Sequence, residues 1–149
     1  MILEARVGHV STHPLDGRTV ERIRLSSHDL AKRLLRVTTD AGREVGIRLP
    51  EGTELRDGDI LWMDDRVAIV IDVLPEELLV VGPRSLREMG EVAHQLGNRH
   101  IPVQFADDLL LVQYDYLVER LLQELEVPYR RETRKVARPF RHVGHHHAS

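Results

Sequence analysis

Five histidines carry the chemistry open to this chain: His142, His145, His146 and His147 in the closing stretch HVGHHHAS, and His100 alone in GNRHIPVQF. Neutral imidazole is a borderline donor suited to nickel, copper and zinc. It titrates near neutrality, so a histidine site can both take up an ion and give it back. A mobile terminal segment can wrap two or three imidazoles around one ion without a preformed pocket. The alternative reading of the triple histidine is an expression tag or an inert solvated tail. Its short, glycine-spaced form favours a native metal-binding segment.

His100 poses a finer question. It stands three residues beyond Gly97, which the pattern makes a helix stop, and it opens an expected strand. By pattern alone, a single histidine at an element end is more often a hydrogen-bonded surface residue than a ligand. One imidazole makes no tight site, but in a two-fold dimer residue i can face residue i, and one histidine per chain becomes a symmetric pair. His9, His13, His28 and His94 lack ligand spacing. His94 is expected on a solvated helix face, and packing at strand ends outweighs a His9 and His13 chelate across a turn. No HExxH, G-x-S-x-G, Walker or Gly-rich phosphate loop is present, so no catalytic residue is assigned and the chain is not read as an enzyme. The pairs Asp64-Asp65 and Asp107-Asp108 suit turns, where aspartate bonds locally.

Two sets of elements must position these side chains. Before residue 75, TVERIRLS, LLRVTT, VGIRLP, ILWM and VAIVIDV read as short strands. They are separated by reversals at DAGRE, Asp57-Gly58 and DDR, and Val45, Ile47 and Leu49 share one side. Residues 1–74 are therefore expected to form a small all-β domain. The pattern then changes. ELLVV reads as a strand, and SLREMGEVAHQLGN reads as a helix with Leu86, Met89, Ala93 and Leu96 on one face, capped by Ser85 with Glu88 and stopped by Gly97. HIPVQF and LLLVQY follow as strands, then a helix capped by Asp115 with Leu117, Leu121 and Leu125 on one stripe, and a last strand in VPYRRETRKV. The order βαββαβ predicts a ferredoxin-like domain over residues 75–137, followed by a flexible His-rich tail at 138–149, and the whole is α+β.

Composition narrows the function classes. The 149 residues contain no cysteine, which excludes disulfides, thiolate metal sites and cysteine nucleophiles and leaves nitrogen and oxygen as metal donors. A formal charge of −3 with 4% aromatics argues against nucleic acid, although Arg130, Arg131, Arg134, Lys135, Arg138 and Arg141 form a basic late segment. No apolar run approaches the roughly 20 residues that cross a bilayer. MILEARVGHV has no secretory pattern, so the cytoplasm is the expected address.

LGNRHIPVQF resembles the UreE family of urease accessory proteins, the nickel metallochaperones of urease maturation. So do the EMGEVAHQLGNRH run, the LLVQYD strand and the PFRHVGHHH terminus, so the resemblance covers nearly the whole chain. It implies an N-terminal β domain that contacts partner proteins and a ferredoxin-like domain that binds metal and dimerises. It further implies that His100 meets its dimer mate at a shared nickel site, supplemented by His142 and His145, His146 and His147. Ni(II) would be cargo, and Zn(II) or Cu(II) could occupy the same ligands. The implied partners are a second copy, a UreG-type GTPase and the urease apoprotein. Some relatives carry extra histidines after the third strand of this domain, where Tyr114, Asp115 and Tyr116 stand here, so the peripheral sites built there are not implied for this chain. The competing reading is a protein-binding module of the maturation complex with incidental histidines.

Overall fold

A computed structural model describes residues 1–141 and divides them into two compact units. The first is Met1–Pro75 with Lys135–Pro139, and the second is Glu76–Arg134 with Phe140 and Arg141. Together they make the α+β architecture that the alternating and helical periodicities predict.

The first unit holds β1 (Ile2–Leu3), β2 (Gly8–His9), β3 (Thr19–Leu25), a 3-10 turn at Ser27–Ala31, β4 (Leu34–Thr38), β5 (Glu44–Arg48), β6 (Asp59–Met63) and β7 (Val67–Val73). A three-stranded sheet runs β1-β5-β4, and a four-stranded sheet runs β2-β6-β7-β3. Period-two alternation turns Val45, Ile47 and Leu49 inward, where they meet Ile23, Leu25, Ile69 and Ile71 of the other sheet in one buried cluster. Burial of this branched apolar surface is the main force holding the sheets together. Glu21 is the charged exception. It is 5% exposed and is satisfied by Thr39 Oγ1 at 2.9 Å and by a forked Arg43 guanidinium at 3.0 and 2.9 Å, which ties β3 to the β4–β5 hairpin. Asp64 works locally, as its turn position predicts, accepting the Arg66 and Val67 N–H groups at 2.8 Å each. Residues 135–137, which the sequence pattern assigns to the second domain, group with the first unit. There the Lys135 ammonium lies 2.6 Å from Asp72 and 3.1 Å from Asp57, and Ala137 C=O accepts the Asp57 N–H.

The second unit runs β8 (Glu76–Val81), α1 (Leu86–Asn98), β9 (Gln104–Ala106), β10 (Leu109–Gln113), α2 (Tyr116–Leu125) and β11 (Tyr129–Arg134). Its antiparallel sheet has the order β11-β8-β10-β9, so the first and third strands lie at the centre. These central strands are the near-continuous apolar runs Leu78–Val81 and Leu110–Val112, all buried. Both helices pack on this sheet through Val92 and Leu96 of α1 and Val118, Leu121 and Leu122 of α2. Two stripe residues of the sequence reading fall elsewhere: Leu86 is 89% and Leu117 70% exposed, because the buried faces centre on Val92 and on Val118 with Leu122.

Two boundaries also move. Gly97 does not stop α1. Its backbone is helical, and the left-handed residue that closes the helix is His100. HIPVQF does not form one strand either; β9 covers only Gln104–Ala106. His100 at positive φ interrupts extended backbone, and Pro102 brings no N–H to a ladder.

Candidate metal centre

His100 owes its position to the way α1 ends. Ser85 caps the start, its Oγ accepting the Glu88 N–H at 3.0 Å. The Glu88 carboxylate reaches back to the Arg84 N–H, one residue earlier than a capping box requires. At the other end the His100 N–H bonds Gly97 C=O at 3.0 Å and the Ile101 N–H bonds Leu96 C=O at 3.1 Å. These are the paired bonds of a Schellman motif with His100 at C′, and Ile101 packs into the cluster containing Leu96, the apolar contact that accompanies the motif. Glycine is the usual C′ residue because φ is positive there; His100 has φ +57° and carries a β-carbon into that region. Its side chain is exposed.

His100 also lines a surface cavity of about 560 Å3. The start of α2 forms another wall. Asp115 caps that helix through Oδ1, which accepts the Leu117 and Val118 N–H groups at 2.8 and 3.2 Å, and the exposed Leu117 overhangs the opening. Gln113 and Tyr114 close the side nearest β10. Tyr114 is fixed in place: its hydroxyl donates to Glu119 at 3.3 Å, Tyr129 donates to the other Glu119 oxygen at 2.9 Å, and the Arg131 guanidinium sits 3.8 Å from the Tyr114 ring centre. Burial, with the Glu119 and Glu77 charges opposing the Arg131 charge, holds the Tyr114 hydroxyl above the usual phenol range and therefore neutral. The Glu77 carboxylate, bonded to Arg131, pushes that guanidinium further up. The lip of the cavity thus joins one imidazole to a partly apolar rim on a rigid wall. The combination suits a ligand donated across a contact better than an enclosed pocket.

The remaining histidines divide clearly. His142, His145, His146 and His147 lie outside the described residues. His9 is structural: its Nε2 donates to Asp57 C=O at 2.8 Å and its Nδ1 accepts the Ser11 N–H at 3.1 Å, leaving no lone pair for a metal. His13 packs against Gly8, where an added Cβ would come within 2.7 Å of the ring, and bonds Thr12 Oγ1 at 3.0 Å. His28 and His94 are exposed on separate elements. Among the described residues no three His, Asp or Glu side chains converge on a common point. A complete coordination shell around His100 therefore has to draw on a second chain, on the terminal histidines or on water.

The late basic segment is largely neutralised. Arg130 and Arg134 pair with Glu132, Arg131 with Glu77, Lys135 with Asp57 and Asp72, and Arg138 with Glu54. Among the described residues no helix is long and apolar enough to cross a membrane. The Tyr114, Glu119, Tyr129 and Arg131 wall was not anticipated. Its i, i+5 spacing from strand to helix leaves no periodic signal, and only the unusual Tyr114-Asp115-Tyr116 run hints at it.

Comparison with known proteins identifies the family. Residues 3–74 match the N-terminal domain model of the UreE urease accessory protein, and residues 76–149 match the C-terminal domain model. The chain is 59% identical over 147 residues to the urease accessory protein UreE of Geobacillus kaustophilus, covering 99% of both chains. The UreE proteins of Staphylococcus saprophyticus and Bacillus sp. strain TB-90 are 53% and 52% identical, again over 99% of both chains. The chain belongs to the UreE family of urease accessory proteins, which are accessory factors and not enzymes.

Proposed function

We propose that the protein is a nickel carrier for urease maturation, working as a homodimer in the cytoplasm. Two His100 side chains, one from each chain, would hold a single Ni(II) ion on the two-fold axis, and His142, His145, His146 and His147 would complete or exchange the coordination. One observation supports this most: His100 occupies a left-handed helix-terminating position that glycine fills at lower backbone cost, and there it presents an exposed imidazole beside an apolar rim. A residue kept against local preference marks a site where the side chain matters.

Release follows from the same features. Imidazole ligands at a surface exchange readily, so an ion can pass stepwise through the terminal histidines to a UreG-type GTPase or to the urease apoprotein. Copper should bind at least as tightly as nickel to such a donor set, and zinc can bind it too, so nickel loading depends on metal supply and partner docking. The test is histidine-selective 15N NMR of the intact chain. Paramagnetic nickel is expected to broaden the His100 ring signal fully by about half an equivalent per chain, as a shared two-fold site requires. A His100 signal that stays sharp while the terminal histidines broaden would overturn the paired-histidine site.

A further inference from the structure

A second cavity, of about 540 Å3, lies wholly within the first unit, between the segment around β2 and the turn entering β6. Its floor is Asp59, 1% exposed, whose Oδ2 accepts the Arg56 backbone N–H at 2.7 Å and Arg6 Nη1 at 3.2 Å. This buried carboxylate holds the Arg6 guanidinium and the Arg56 backbone at the cavity. Arg6 also donates from Nη1 to Glu54 C=O at 3.4 Å, which leaves its Nε and Nη2 without an acceptor among the described residues. The exposed Arg56 guanidinium meets no acceptor among the described residues, in contrast to the paired cations of the late basic segment. Ser11 and Thr12 also line the cavity, their hydroxyls bonded within the turn to His9 and His13, and Val7, 51% exposed, provides an apolar rim. His9 holds the Ser11 turn through its two ring nitrogens.

We propose that this cavity docks an acidic segment of a partner protein, with one carboxylate side chain gripped by Arg56 and the free donors of Arg6 and a neighbouring apolar side chain resting on Val7. Two guanidinium charges against the one Asp59 carboxylate leave a single net positive charge, which suits a carboxylate monoanion. A phosphate dianion would bring its second charge toward Asp59. The lining includes no Phe, Tyr or Trp ring on which a base could stack, and the His9 ring is engaged by Asp57 and Ser11. The planar fork of arginine matches a carboxylate in two-point geometry, and the Asp59 anchor lowers the ordering cost of binding. The site is far in kind from the histidine chemistry, so its success or failure is independent of the nickel reading.

The test uses the intact 15N-labelled chain and the blocked tripeptide acetyl-Leu-Asp-Leu-amide. Amide shifts should concentrate in residues 6–12 and 56–59, weaken with added salt, and fall at least about fivefold in affinity in Arg56→Gln, whose side chain supports no other contact. The Asn counterpart peptide should cause no such shifts. Equal shifts with the Asn peptide, equal affinity in Arg56→Gln, or shifts centred elsewhere would overturn the proposal. Inorganic phosphate producing the same shifts at lower concentration than the peptide would overturn the carboxylate assignment.

Discussion

Replacing His100 by glycine should leave the second unit more stable than replacing it by alanine, and both changes remove the proposed metal ligand. The C′ position of α1 holds φ at +57°, and its two Schellman bonds, 3.0 and 3.1 Å, are made by backbone atoms that glycine also supplies. A residue with a Cβ costs roughly 1–2 kcal/mol in this region, and glycine gives back about 0.5–1 kcal/mol through the greater entropy of its unfolded chain. The net expectation is a gain of about 0.5–1 kcal/mol, which for a domain of this size raises Tm by roughly 2–8 °C. His100→Ala keeps the Cβ and therefore the backbone strain, so it should melt below His100→Gly by that amount. Differential scanning calorimetry of the metal-free proteins, with urea titrations as a second reading, measures this directly. The reasoning fails if His100→Gly is no more stable than His100→Ala, because the left-handed backbone would then exact no cost that glycine relieves.

Four further outcomes follow from named contacts. Leu122→Ala empties a fully buried position under α2 and should cost about 2–5 kcal/mol in urea unfolding of the second unit. Asp115→Ala removes the acceptor for the Leu117 and Val118 N–H groups and should cost about 1 kcal/mol by the same measurement. The Arg43 fork holds the Glu21 carboxyl below its ordinary range, and Lys135 does the same for Asp72. Their stabilisation is complete above the ordinary carboxyl values of about 4 and is lost as pH falls through the lower folded values, so acid titration of Glu21→Gln should show a shallower decline below about pH 4 than the parent. Since protonated imidazole cannot ligate, apparent nickel affinity should be lower at pH 5.5 than at pH 7.5, and an affinity unchanged between them would exclude imidazole as the main donor.

Much of this was legible in the residues. Alternation in VGIRLP and the continuous runs VAIVIDV and ELLVV marked inward faces and buried strands, and Asp115 and Ser85 marked helix starts, because each depends on local chemistry. The end of α1 departs from the local pattern. Glycine at 97 looks like a stop, but the stop requires a left-handed backbone two residues past Asn98, and the pull of Ile101 toward Leu96 places it on His100. That tertiary contact is invisible to periodicity. The shift of both helical stripes away from Leu86 and Leu117 has the same origin, since the sheet selects which of several apolar residues faces it. Pairing of the late basic residues with Glu77, Asp57, Asp72 and Glu54 spans tens of residues in sequence, and no local pattern announces it.

The account rests on His100 as the shared ligand, and nickel titration calorimetry with parallel light-scattering mass determination tests it most directly. The samples are the intact chain, His100→Ala and a version ending at Arg141. The account predicts about one tight nickel per dimer for the intact chain, loss of that event in His100→Ala, and a weakened but surviving event after truncation. Unchanged tight binding by His100→Ala would contradict it and assign the ions to the terminal histidines alone.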